Sequence, residues 1–436
     1  MINQVEIQNF KSYQNATLKL APLTLLIGAN ASGKSNAIEA IRFLSWLAYG
    51  RRLDDILQSV QQTDINIRGT LRDLTYDPTM NITLGCKLDD LEEWEKFLIS
   101  VSVKPNEMRV VAESLESESS SVPLYWIKEP ANSYSHEVQV AFNNFSRGGR
   151  KPTIPCSDRQ AIFTQLDIPS RFAHSASEKS REIIPHISQA LQQTFRQILF
   201  LDPIPRHMGG YSSIVDNEIK KDGKNISSVL HHLCKEKGLQ DSVLDFIRDL
   251  PEQDIVNINF IQTPRNEVMI QLVESFGNHP ITRDAPLLSD GTLRVLAVTA
   301  ALLSAPKGSL IIIEEIDNGI HPSRAGTLLN KIQEVAKNRH LRVLLTSHNP
   351  ALLDTLPISA VPNVVACYRD PDIGDSRLVR LEDLVDYPEL IARGSLGQLM
   401  TKGTLDKFLK SQRSLAMKKE QGLSWLESLR ETVEIA

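Results

Sequence analysis

Gly28-Ala29-Asn30-Ala31-Ser32-Gly33-Lys34-Ser35 has the spacing G-x-x-x-x-G-K-[ST] of a P-loop. The preceding Leu23-Thr24-Leu25-Leu26-Ile27 is a short apolar run that predicts a buried strand. The following Asn36 to Leu44 carries apolar residues at helical spacing. Strand, glycine loop and helix are the context in which this pattern becomes a phosphate site. Gly28 and Gly33 let the backbone curl so that its N–H groups point inward, and the new helix adds its positive end. Lys34 is then expected to reach β- and γ-phosphates, and the Ser35 hydroxyl to ligate Mg²⁺.

Before the loop, Val5, Ile7 and Phe10 alternate, as do Ala16, Leu18 and Leu20, across a polar turn at Lys11 to Asn15, which predicts a hairpin. Lys11 fits a solvated turn lysine and a role at the nucleotide equally well. After the helix, Arg51 to Thr63 reads as polar helix or loop and holds Gln58, Gln61 and Gln62. Strand-like alternation over 64–112 (Ile65, Ile67, Leu71; Ile82, Leu84, Cys86) is broken by an expected acidic helix from Asp89 to Phe97. Residues 113–160 look least structured, with a Ser/Glu run from Glu113 to Ser121 and a Gly-rich basic loop from Phe145 to Pro152. That loop fits an exposed flexible segment better than a phosphate-backbone contact. Helical periodicity dominates 177–250, and strands are expected at Ile255 to Thr263 and Val268 to Glu274.

A second half of the site lies far along the chain. Leu310-Ile311-Ile312-Ile313 is a continuous β-rich run ending in Glu314-Glu315, and a buried strand tolerates acids only where it meets solvent and ligand. There Glu314 is positioned to hold Mg²⁺ through water, and Glu315 to orient and deprotonate an attacking water. Arg342 to Thr346 reads as a further parallel strand, with a helix from Arg324 to Lys337 between the two. It ends in Ser347-His348-Asn349-Pro350, which places His348 within reach of a γ-phosphate. Leu288-Ser289-Asp290-Gly291-Thr292 opens a long helix and offers another anion-binding N-terminus.

The bulk properties bound the alternatives. The chain has 436 residues, enough for one large or two ordinary domains, and its net charge of −5 leaves no global basic footprint for nucleic acid. Cys86, Cys156, Cys234 and Cys367 form no C-x-x-C pair, which disfavours a zinc site and fits a reduced cytoplasmic compartment. The longest apolar run, Val295 to Ala305, is too short to span a bilayer, and no signal-peptide pattern opens the chain. No sustained heptads predict a coiled-coil arm.

Taken together, these motifs resemble an ABC-type ATPase head of the SMC, RecF and OLD class, and most closely the small prokaryotic "AAA family ATPase" heads within it. The matching stretches are Asn9-Phe10-Lys11-Ser12-Tyr13, the P-loop through Asn36, Leu288 to Thr292, Glu314-Glu315-Ile316-Asp317-Asn318-Gly319-Ile320-His321-Pro322, and Thr346 to Pro350. The Asp222-Gly223-Lys224-Asn225 patch matches loosely. The resemblance implies an α/β P-loop NTPase head with a mixed sheet and an inserted, largely helical subdomain. The expected division is 1–75 and 281–365 for the head, 76–160 for a β-rich insertion, 161–280 for a helical subdomain, and 366–436 for a hairpin and basic tail. ATP and Mg²⁺ are the implied ligands. Two copies would sandwich ATP in a homodimer or higher even oligomer. Lys11, Gly28, Asn30, Ser32, Gly33, Lys34, Ser35 and Asn36 would come from one copy, Ser289 and Gly291 from the other. Ser35 and Glu314 would hold the metal, Glu315 and His348 would act in catalysis, and Asp317 would couple the two sites. The sequence departs from the pattern at Glu314, where most such ATPases have Asp, and at Asp290, where they have Gly.

The wide spacing between P-loop and signature disfavours a transporter subunit, the missing arm a true SMC protein, and the short stretch after His348 an OLD-type nuclease domain. Asp370, Asp372 and Asp375 read as a polar hairpin turn rather than a metal cluster. The expected role is regulation of a separately encoded effector, nuclease or toxin-like, in a prokaryotic anti-phage defence system, with the Lys-rich tail (Lys402, Lys407, Lys410, Lys418, Lys419) as docking segment or exposed helix. The alternative is a RecF-like ATPase of DNA repair or replication. Binding of DNA or RNA stays open, and no membrane partner is expected.

Overall fold

A computed structural model describes residues 1–56, 67–105, 107–131, 135–146, 148–172, 177–248, 254–276, 279–318 and 322–410. Gln58, Gln61, Gln62, Lys418 and Lys419 lie outside the described residues. Strands β1 (Ile2–Phe10) and β2 (Tyr13–Lys19) form the expected hairpin, which turns tightly at Lys11 and Ser12. Strand β3 (Leu23–Ile27) then leads into the P-loop and helix α1 (Lys34–Leu47).

The next six strands are β4 (Ile82–Leu88), β5 (Lys96–Lys104), β6 (Glu107–Glu116), β7 (Tyr125–Glu129), β8 (Glu137–Phe142) and β9 (Thr153–Ser157). They extend the hairpin into an eight-stranded antiparallel sheet of order β2-β1-β4-β5-β6-β7-β8-β9. Three expectations change here. The acidic helix at Asp89 to Phe97 is a tight connection: Asp90 and Glu92 adopt left-handed φ of 66° and 53°, which a helix cannot contain. Buried Leu91 and Trp94 pin it, and the Leu88 amide donates to the Glu95 carbonyl at 2.8 Å. Ile65 is outside the described residues, and Leu71–Leu74 is a 3-10 turn with a Thr70/Asp73 capping box rather than strand. The stretch 113–160 carries three further strands and part of β6.

Glu113 explains the last misreading. It faces inward from β6, fully buried, and accepts hydrogen bonds from the amides of Ile162 and Phe163 at 2.7 Å and from the Tyr125 hydroxyl at 2.9 Å. A Ser/Glu run therefore hides a core acid whose partners come from sites remote in sequence.

Helix α2 (Glu178–Arg196) starts at the Ser177 cap and packs beside α1. The chain then forms β10 (Leu199–Leu201), β11 (Ser212–Ser213), α3 (Ile226–His231) and α4 (Gln240–Arg248). Strands β12 (Ile255–Gln262), β13 (Glu267–Phe276) and β14 (His279–Asp284) join β11 in a small antiparallel sheet in which β13 pairs with each of the other three. After these come α5 (Asp290–Ser304), β15 (Leu310–Ile313), α6 (Pro322–Asn338), β16 (Arg342–Ser347), and the hairpin of β17 (Val365–Arg369) and β18 (Ser376–Arg380).

The mixed sheet expected of the head has the order β10-β15-β16-β3-β17-β18, parallel except at β18. Its central strands are buried on both faces. Leu26, Ile312 and Leu344 point into one core, shared with α1 and the long sheet. Leu25, Ile311, Ile313, Val343 and Leu345 point into the other, under α3 to α6. That is why these strands read as unbroken apolar runs. Ile27 pairs with Ser347 and Ile313 with Leu345, so the P-loop, Glu314 and His348 all emerge at the carboxyl edge.

Burial pushes the Glu113 carboxyl up to about 7, outweighing its three donors. The folded chain thus holds this proton more tightly than the unfolded chain, and the stability it supports is full in acid and lost as pH rises through about 7. In equilibrium unfolding, stability is expected to fall between about pH 5 and pH 8, and Glu113→Gln to flatten that slope.

Candidate nucleotide site

The P-loop curls over the end of β3 with Gly28, Ala31 and Gly33 at φ of 152°, 64° and 120°. Both glycines are dictated by close approach. A Cβ on Gly28 would lie 2.2 Å from the Cys367 carbonyl oxygen, and one on Gly33 would lie 2.3 Å from Ser376 Oγ. The β17–β18 hairpin therefore wedges against the loop. Ser376 Oγ donates to the Ser32 carbonyl at 2.6 Å and bonds Ser12 Oγ at 2.8 Å, and Asn36 Nδ2 donates to the same Ser12 Oγ at 2.8 Å. The buried Tyr13 hydroxyl donates to the Gly33 carbonyl at 3.0 Å.

A cavity of about 610 Å³ opens beside the loop. Lys11, Asn30, Ser32, Gly33, Lys34, Ser35, Asn36, Glu314, Glu315 and His348 all line it, from four separate stretches of sequence. Lys34 Nζ donates back to the carbonyls of Gly28 and Ala29, at 2.5 and 3.0 Å. Partial burial holds its ammonium below the ordinary value, against the opposing fields of Cys367, Glu315 and Asp317. Lys11 is neither solvated nor free. Its ammonium pairs with Glu39 of α1 and donates to the Arg68 carbonyl at 2.6 Å, which makes it part of the cavity wall.

The two acids after β15 behave differently. Glu314 is a quarter exposed, and its Oε1 accepts from Arg42 Nη2 of α1 at 2.5 Å. Glu315 is exposed and adopts a left-handed φ of 51°, a conformation that costs a non-glycine residue about 1–3 kcal/mol. Its amide donates to Thr346 Oγ1 at 2.9 Å, and its Oε2 accepts from Asn318 Nδ2 at 2.5 Å, which fixes its direction. Asp317 Oδ1 is buried and has no hydrogen-bond partner among the described residues.

Ser289 and Gly291 stand outside the cavity. Ser289 caps α5 by accepting from the Thr292 amide at 3.2 Å. The adjoining Leu288, Asp290 and Arg294 line a second recess of about 630 Å³ that also reaches Glu315 and Asn318. Arg68 and Arg369 line the cavity although sequence reading did not single them out. Arg369 Nε donates to the Ala31 carbonyl at 3.2 Å. The only signal for it was its place on the first strand after His348, a register visible only once β17 is paired with β3.

The donors suit a nucleotide with a hard divalent cation. Ser35, Glu314 and Glu315 offer oxygen ligands along the wall. Among the described residues no three His, Cys, Asp or Glu side chains cluster as a self-sufficient metal cage. Ligation by one or two side chains completed by phosphates is the manner of Mg²⁺.

A family model described as AAA ATPase domain matches residues 1–353. The chain is 20% identical over 371 residues to an ATP/GTP phosphatase of Helicobacter pylori, covering 82% of this chain and 87% of that protein. It is 20% identical over 370 residues to the Old nuclease of Escherichia phage P2, covering 80% of this chain and 56% of the nuclease. A segment of 88 residues, 20% of this chain and 24% of the relative, is 32% identical to the DNA replication and repair protein RecF of Streptococcus thermophilus. Among solved structures, an SMC head bound to the C-terminal winged-helix domain of ScpA superposes with a TM-score of 0.46 at 14% identity, covering 87% of this chain and 96% of that chain. No helix among the described residues is long and apolar enough to cross a membrane.

Because the Cys367 carbonyl cannot rotate away as a side chain can, Gly28→Ala is expected to destabilise more than Gly33→Ala. Each should cost at least about 1–3 kcal/mol, read by denaturant unfolding.

Proposed function

The chain belongs to the AAA ATPase domain family, as an ATPase of the SMC, RecF and OLD class, and from that premise we propose an ATP-hydrolysing switch that closes as a dimer around nucleotide. The observation that carries the reading is the meeting of Lys34, Glu315 and His348 in one cavity. Lys34 neutralises the β- and γ-phosphates beside the inward amides of the loop. Glu315, held by Asn318, orients the attacking water and takes its proton, and His348 hydrogen-bonds the γ-phosphate. Ser35 and Glu314 would hold Mg²⁺, which would neutralise charge on the phosphates. Ser289 and Gly291 of a second copy close the site from the other side, and Asp317 links the two sites. The exposure of Ser289 and its position outside this chain's own cavity support that division.

The switch regulates a separately encoded effector, nuclease or toxin-like, in an anti-phage defence system. Similarity to a phage Old nuclease over 80% of the chain supports this assignment. A RecF-like role in DNA repair is the second reading, favoured by the 88-residue segment of higher identity.

Glu315→Gln is expected to lower ATP turnover at least about 100-fold while leaving ATP affinity intact, whereas Lys34→Ala loses binding. Steady-state turnover with equilibrium nucleotide binding reads both, and unchanged turnover in Glu315→Gln removes hydrolysis from the proposal. Native mass with and without ATP reads the dimer. Co-purification with the products of neighbouring genes supports the effector, whereas a lone dimer that gains duplex-DNA affinity supports the repair reading.

A further inference from the structure

The acid expected to hold the metal already has a cation. Glu314 Oε1 is bonded to Arg42, whose side chain is only 11% exposed. Arg42 lies seven residues beyond Ser35 on α1, two helical turns and therefore the same face, so it stands beneath the hydroxyl expected at the metal. Its guanidinium carbon sits 5.0 Å from the ring centroid of Phe200, which β10 brings beside β15, so the arginine is held between an aromatic ring and a carboxylate.

A second cation looks at the same pair. The Lys221 carbonyl accepts from the Asp202 amide at 2.9 Å and the Asp222 carbonyl from the Ile204 amide at 3.0 Å, which ties the Asp222-Gly223-Lys224-Asn225 turn to the exit of β10. The Glu314 amide in turn donates to the Leu201 carbonyl at 3.0 Å. Lys221 is thereby half-buried and within the electrostatic reach of Arg42, Glu314, Asp202 and Asp222. A divalent cation arriving at Glu314 would therefore meet a carboxylate already paired with the Arg42 guanidinium. Like charges repel more strongly where water is partly excluded.

We propose that Arg42 is a positioning residue that competes with the divalent cation for Glu314: the guanidinium holds the carboxylate before metal arrives, and metal takes it as that ion pair opens. The inference rests on the nucleotide-binding reading above and deepens it. Holding Glu314 by Arg42 spares a part-buried carboxylate from standing unpaired in the metal-free protein. It also makes metal affinity the difference between two ion pairs, so the gain that Mg²⁺ adds to nucleotide binding is tempered by the cost of releasing Arg42.

The measurement is the ratio of the dissociation constant for fluorescent ADP in EDTA to that in Mg²⁺, on the full chain. Arg42→Met, which keeps an apolar stem against Phe200, is expected to raise this ratio about fivefold, the worth of one such ion pair. Arg42→Lys should restore it toward the unmodified protein. If Arg42→Met fails to fold, Arg42→Gln removes the charge while keeping a hydrogen-bond donor for Glu314, with the same direction expected. An unchanged or lowered ratio in the uncharged variants, beside a ratio that drops toward one in Glu314→Gln, overturns the competition and leaves the metal reading standing. A ratio untouched in Glu314→Gln instead removes Glu314 from the metal, and the inference falls with it.

Discussion

Strand β3 is apolar on both faces and hydrogen-bonded along both edges, and the other elements take their places from it. Leu26 faces one core while Leu25 and Ile27 face the other, so layers must cover both sides of the sheet. Its neighbours are β16 on one side and β17 on the other, strands separated from it by over three hundred residues. Once these pair in register, no freedom remains in where the P-loop, Thr346 and His348 stand relative to one another. The site is a consequence of sheet register more than of any single contact.

The cavity wall is electrostatically crowded, and it is organised by pairing rather than by net charge. Lys11 and Arg68 share Glu39, Arg42 holds Glu314, and Lys34 folds onto backbone carbonyls in view of Glu315 and Asp317. Each of these cations thus has an acceptor within the protein. Such an arrangement keeps buried charges compensated in the ligand-free protein and makes binding an exchange of partners.

Legibility followed the physical range of each signal. The P-loop, its strand and its helix were readable because their determinants are contiguous: a five-residue strand with four apolar residues, two obligatory glycines, then helical periodicity. The strands ending at Ile313 and Ser347 were equally plain, since burial on both faces leaves an unbroken apolar run. Legibility failed where polar residues act inside. Glu113 made a core strand look like a solvated run because its three donors lie in other elements. The turn at Asp89 to Glu95 looked helical by composition, and only its left-handed residues say otherwise. Arg42 and Arg369 carried no local mark at all, since an arginine's significance lies in the acceptor across from it. The ion pair of Lys11 with Glu39 removes the solvated alternative that spacing left open.

The wedge of β17–β18 against the P-loop also sets an order of events at the ribosome. Ser376 closes on the Ser32 carbonyl across 344 residues, so the loop's brace is made of chain synthesised long after the loop itself. At ordinary elongation rates that interval is roughly 20–70 s, during which the glycine loop, its helix and the first hairpin exist without their final support. The phosphate cradle is therefore among the last parts of the head to be completed, and a nascent chain that stops short of the hairpin carries every residue of the P-loop motif without the wall that shapes it.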